Sequence, residues 1–127
     1  MKTRILVADD DPHFAKVLDE YLTGRGYAVV VVEDGLRLVE KAGEEPPDLI
    51  IADIQMPGAY GSTVHEILKK DTRTASIPIL FVSGHPYEQV KRILPDDPRT
   101  RFLQKPIKFA ELDLMIKELS VAGGSRP

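Results

Sequence analysis

The sequence predicts an α/β fold, a three-layer α/β/α sandwich around a doubly wound, five-stranded parallel sheet. Runs such as Arg4-Ile5-Leu6-Val7-Ala8 and Asp48-Leu49-Ile50-Ile51-Ala52 are too short and too uniformly apolar for amphipathic helices, and read as strands buried on both faces. Between such runs, apolar residues recur at helical spacing, an alternation that builds parallel sheets through crossover helices. The first and third runs close on acids, Asp9-Asp10-Asp11 and Asp53. If the two strands are parallel neighbours, their carboxyl ends lie together and the acids form one cluster.

The first strand covers about residues 4–9, and a helix begins near Pro12, whose missing N–H costs nothing in a first turn. Phe14, Val17, Leu18, Tyr21 and Leu22 make its apolar stripe, and Gly24 and Gly26 stop it. Residues 27–32 form the second strand. Asp34-Gly35 opens a second helix with Leu36, Val39 and Ala42 inward, ended by Pro46-Pro47. The third strand runs to Asp53, Met56-Pro57-Gly58 forces a loop, and Val64, Ile67 and Leu68 mark the third helix. The fourth strand spans 77–82, with Pro78 at its beginning. A fourth helix carries Val90, Ile93 and Leu94 and is closed by Leu94-Pro95-Asp96-Asp97-Pro98, before a fifth strand from Arg101 to Gln104. The last helix buries Phe109, Leu112, Ile116 and Leu119. One domain is expected over residues 1–121, with 122–127 a flexible tail or the start of a linker.

A chain of 127 residues with 43% hydrophobic content can bury a core of its own. The net charge of −3 argues against direct binding to nucleic acid, where a basic face supplies most of the affinity. The absence of cysteine excludes disulfides, thiolate catalysis and zinc–thiolate sites, and suits a reducing, cytoplasmic setting. The uncharged stretch before Asp9 is too short for a signal-peptide core or a membrane span, so no membrane partner is expected.

In an open parallel sheet, ligands bind outside the carboxyl ends of the strands where the strand order reverses. This chain places Asp9, Asp10 and Asp11 after the first strand, Asp53 after the third, Ser83 after the fourth and Lys105 after the fifth. Hard oxygen donors of this kind suit Mg²⁺, which is commonly held by one or two carboxylates together with phosphate oxygens. Asp53, alone between Ala52 and Ile54, is the carboxylate best placed to attack phosphorus. Lys105 and the Ser83 hydroxyl would then share the charge of the transferred group.

Four stretches carry a resemblance in the right order and spacing. They are Ile5 to Pro12, Asp48 to Gly58 (Asp48-Leu49-Ile50-Ile51-Ala52-Asp53-Ile54-Gln55-Met56-Pro57-Gly58), Pro78 to Gly84, and Phe102-Leu103-Gln104-Lys105-Pro106. Over essentially its whole length the chain resembles a response-regulator receiver domain of two-component signalling. The resemblance implies a flavodoxin-like sheet with strand order 2-1-3-4-5. It makes Asp53 the phosphoacceptor and gives Mg²⁺ to Asp10 and Asp53 directly, with Asp9 acting largely through water and Gln55 through its backbone carbonyl. It gives Ser83 and Lys105 the phosphoryl group and makes Gly84 a small residue that keeps the pocket open. Gln55 and His85 fall where such domains tune the lifetime of the acyl phosphate.

The chain departs from the family pattern at Phe102, where many receivers carry a switching tyrosine, and at Tyr60-Gly61, Ile107 and Leu94 to Thr100. Simpler readings stand beside these roles. Asp11 before Pro12 is a natural helix N-cap. Phe102 can be a plain core residue, and His85 a solvated loop residue. His13 and His65 are expected exposed, and Lys69, Lys70, Asp71, Lys91 and Arg92 read as solvated helix faces.

The expected function is therefore a phosphoacceptor module and not an enzyme with turnover. Its expected partners are a histidine kinase or phosphotransfer protein and a downstream protein at the surface of the fourth helix, fifth strand and fifth helix, and a homodimer is compatible with it. It fits a stand-alone regulator and the receiver of a longer regulator or hybrid kinase alike. One alternative is a receiver-shaped binding module that is never phosphorylated. Another is a Mg²⁺-dependent phosphohydrolase with an aspartyl nucleophile, which would need a second acid two residues beyond Asp53, where Gln55 stands.

Overall fold

The structure is a computed structural model and describes residues 2–56 and 59–122. In chain order its elements are β1 (Arg4–Ala8), α1 (Pro12–Gly24), β2 (Ala28–Val32), α2 (Gly35–Glu44), β3 (Leu49–Asp53), β4 (Gln55–Met56), β5 (Ala59–Tyr60), α3 (Gly61–Lys70), β6 (Ile79–Ser83), α4 (Tyr87–Val90), β7 (Thr100–Gln104) and α5 (Phe109–Ala122). Five of the strands form one parallel sheet in the order β2-β1-β3-β6-β7. Counted without the β4–β5 hairpin, this is the 2-1-3-4-5 order that the resemblance implies. The order reverses between β1 and β3, which opens a crevice at their carboxyl ends.

Strand residues alternate between two cores, as the period of two requires. Leu6, Ile50 and Phe81 face α2, α3 and α4, packing with Leu38, Val64, Leu68 and Val90. Ile5, Val7, Ile51, Leu80 and Val82 face α1 and α5, packing with Leu18, Leu22, Leu112, Ile116 and Leu119. β2 is an edge strand, so Val30 and Val31 keep much of their surface in solvent.

Several expected core positions lie outside the core. Val17 and Leu36 are exposed, while Ala15 and Leu38 are buried in their place. Each helical stripe is narrower than the apolar positions available to it, and the neighbouring layers decide which of them turn inward. Ile67, Ile93 and Phe109 are also exposed. The fourth helix is a single turn, Tyr87–Val90, followed by turns. Pro95 and Pro98 oppose continuation of the helix, because a proline removes a backbone donor and crowds the preceding turn.

β6 begins at Ile79, where the expected strand began at 77. Pro78 has no N–H to give, but its carbonyl accepts from Ile50 N at 3.0 Å, and Ile79 N donates to Arg99 O at 3.0 Å. The loop expected after Asp53 is partly the antiparallel hairpin β4–β5, with Gln55 opposite Tyr60. Its Pro57-Gly58 turn lies outside the described residues, as do residues 123–127 of the expected tail, whereas Ala122 still belongs to α5. Among the described residues no helix is long and apolar enough to cross a membrane.

Candidate functional site

Asp9 ends β1 with its backbone still held by the sheet, Asp9 N donating to Val32 O at 3.1 Å. Its side chain is buried, 1% exposed, and Oδ1 accepts from Asp11 N at 2.9 Å. Oδ2 lies 2.9 Å from Lys105 Nζ but takes no aligned hydrogen bond, so a buried carboxylate oxygen has charge compensation without a proper donor. Burial pushes the Asp9 carboxyl above its ordinary range, against the lowering by Asp11 N and Lys105.

Asp53 closes β3 and is half-buried. Its Oδ1 accepts from Gln55 N at 2.8 Å and its Oδ2 from Lys105 Nζ at 3.0 Å. Lys105 therefore bridges Asp9 and Asp53 from the end of β7, and its own N–H donates to Ser83 O at 2.8 Å. Burial works against the charged lysine, but the two carboxylates outweigh it and hold the ammonium above the usual lysine range. Carboxylate oxygens of Asp9, Asp10 and Asp53 lie within 4.8 Å of one another, with Asp10 exposed at the mouth.

Hard oxygens so close together repel unless cations join them, and Asp9 Oδ2, although 2.9 Å from the Lys105 ammonium, takes no aligned hydrogen bond. The donor set fits an oxygen-preferring divalent cation.

Ser83 is buried at the end of β6, and its Oγ accepts from His85 N at 3.0 Å. The hydroxyl proton is thereby left to donate elsewhere. Gly84 and His85 are exposed beside it. Phe102 is half-buried against the α2–α3–α4 core, its ring 6.1 Å from that of Tyr87 and tilted by 53°. Asp11 caps α1, accepting from His13 N and Phe14 N at 3.0 and 3.3 Å, the plain reading of that residue.

Two features escaped sequence reasoning. Phe14, read as a core residue, also lies with its ring 4.3 Å from Lys105 Nζ. His65 is not exposed and Lys69 is not simply solvated, since both meet Asp97 Oδ2, at 2.9 and 2.8 Å. Their spacing along α3 signals a shared partner on one helix face. Nothing local identifies that partner as an aspartate in the α4–β7 loop.

A profile of the response regulator receiver domain family matches residues 5–117. The transcriptional activator protein PfeR of Pseudomonas aeruginosa is 34% identical over 87% of this chain and 35% of its own length. The curated relatives it matches are longer, and the chain spans 12% to 48% of their lengths. Among solved structures, a sensor protein from a Polaromonas species superposes with a TM-score of 0.86 at 25% identity, covering 98% of this chain and 100% of that one. The signal receiver domain of a signal transduction histidine kinase from Syntrophus aciditrophicus gives 0.78 at 26% identity, covering 98% and 95%. Strand order, the acidic cleft and the profile match agree, and the chain belongs to the response regulator receiver domain family of two-component signalling.

Proposed function

We propose that this domain works in the cytoplasm and accepts a phosphoryl group on Asp53 from a phosphohistidine of a histidine kinase or phosphotransfer protein. One observation carries the reading: a single ammonium, Lys105 Nζ, joins Asp53 to the buried Asp9 at the carboxyl ends of neighbouring strands. In the step, an Asp53 carboxylate oxygen forms a bond to phosphorus as the bond from phosphorus to the imidazole nitrogen breaks. The electron pair leaves with the imidazole, and a mixed anhydride remains on Asp53.

Asp53 is half-buried and oriented through Oδ1 by Gln55 N, so its approach is set before the donor arrives. Lys105 is placed to follow the negative charge from the carboxylate onto the phosphoryl oxygens, and the Ser83 hydroxyl to donate to one of them. Asp10 and Asp53, with Asp9 and the Gln55 carbonyl, are the residues that would hold Mg²⁺. When bound, Mg²⁺ supplies positive charge for the crowded carboxylates and the phosphoryl oxygens.

The output follows from connectivity. Ser83 leads through Gly84 and His85 into α4, and Phe102 on β7 touches Tyr87 of α4. A phosphoryl group engaging Ser83 and Lys105 favours one of two arrangements of the α4–β7–α5 surface and so changes its partner.

Intact-mass measurement after incubation with a small phosphodonor and Mg²⁺ tests this. One added phosphoryl group is expected in the wild type and none in Asp53→Asn or after chelation. No addition to the wild type would favour a binding module that works without phosphate.

A further inference from the structure

We propose that Phe14 is a positioning residue for Lys105, acting through the face of its ring. The inference rests on the phosphoacceptor reading of Asp53 and assigns a further residue to that site.

Lys105 reaches two carboxylates on a flexible four-carbon stem, and such a side chain loses considerable rotamer freedom when held in one place. Asp9 and Asp53 restrain the ammonium on two sides, at 2.9 and 3.0 Å. The Phe14 ring covers another, with Nζ over its face 4.3 Å from the centroid. The lysine side chain is only 19% exposed, so the attraction between cation and ring acts in a partly desolvated place, where it is strongest.

The ring itself is fixed from two directions. Asp11 caps α1 and takes the backbone N–H of Phe14, which sets the start of the helix. The side chain packs against the core formed with α5. The third aspartate of the acidic run, which the metal cluster leaves out, thus serves the site by placing Phe14.

An aromatic face suits this position for a chemical reason. An oxygen there would hold one of the ammonium protons and would have to release it when phosphoryl oxygens arrive. A ring restrains the ammonium and excludes water without offering a competing lone pair. A leucine would fill much of the same space and provide no such restraint.

The test compares Phe14→Leu, Phe14→Tyr and Phe14→Trp in the full chain. Two quantities are read: the ring-current displacement of the Lys105 side-chain NMR signals, and the initial rate of phosphorylation by a small phosphodonor with Mg²⁺. In the wild type the Lys105 signals are expected upfield. Phe14→Leu should lose that displacement and slow phosphorylation by roughly three- to tenfold, while remaining folded by thermal melting. Tyr and Trp should restore both. A wild type without the displacement, or Phe14→Leu without it but phosphorylated at the wild-type rate, would overturn the proposal. Failure of the aromatic variants to restore the rate would reduce Phe14 to packing. A displaced lysine signal in a wild type that takes no phosphoryl group would instead refute the phosphoacceptor reading, and the positioning role with it.

Discussion

His65 Nε2 lies 2.9 Å from Asp97 Oδ2, tying α3 to the loop between α4 and β7. Lys69 Nζ meets the same oxygen at 2.8 Å, and Arg99 N binds the other at 2.8 Å. With its side chain 9% exposed, Asp97 organises a loop that borders Phe102 and Arg101 on the output side.

Replacing Asp97 by Asn should destabilise the domain by about 1–3 kcal/mol, because it removes a hydrogen-bonded charge from partly buried partners. Burial alone would raise the Asp97 carboxyl, but Lys69, His65 and Arg99 N hold it well below the usual range. Its folded pKa is thus lower than its unfolded one, so the stabilisation is complete above the ordinary carboxylate pKa and fades as pH falls toward the folded value. Urea melts of wild type and variant should differ most near neutrality and converge in acid. A constant difference down to pH 3 would contradict this account.

Lys105→Met should cost about 1–3 kcal/mol in metal-free buffer at neutral pH, since it leaves Asp9 buried without its compensating charge. Asp9 already has a folded pKa above the unfolded one. The variant should therefore lose stability as pH rises through the window above the ordinary carboxylate range, and regain it on acidification. A pH-independent loss, followed by denaturant melts, would show that the lysine acts through packing alone.

Mg²⁺ should raise the melting temperature, because it binds the folded cluster and not the unfolded chain. At about ten times its dissociation constant the gain is about 1.4 kcal/mol, or roughly 3–6 °C for a domain of this size. Asp10→Asn and Asp53→Asn should each remove most of that shift. An equal rise in the variants would mean the cation binds elsewhere.

Gly61 opens α3 where the hairpin returns, and a Cβ there would lie 2.8 Å from Ile54 Cγ1 and 2.9 Å from Phe81 Cε1. Both neighbours are fully buried. Gly61→Ala should therefore destabilise by about 1–3 kcal/mol through overpacking, despite alanine's better helix propensity. Calorimetry showing a variant as stable as the wild type would mean that Ile54 and Phe81 move aside without cost.

The sheet, its helices and the acidic rim were legible in the order of residues, because buried parallel strands are written as uninterrupted apolar runs and their ends as abrupt polar residues. Asp9, Asp53, Ser83 and Lys105 were legible for that reason, each standing next to such a boundary. Long-range packing settled which flank of each stripe turned inward, as with Ala15 over Val17, and that the fourth helix is one turn. It also decided that Phe14 backs Lys105 and that Asp97 gathers His65 and Lys69. Local pattern records whether a residue prefers burial. It does not record which distant side chain shares the space, and in this domain those pairings exist only once four crossovers have brought the ends of the strands together.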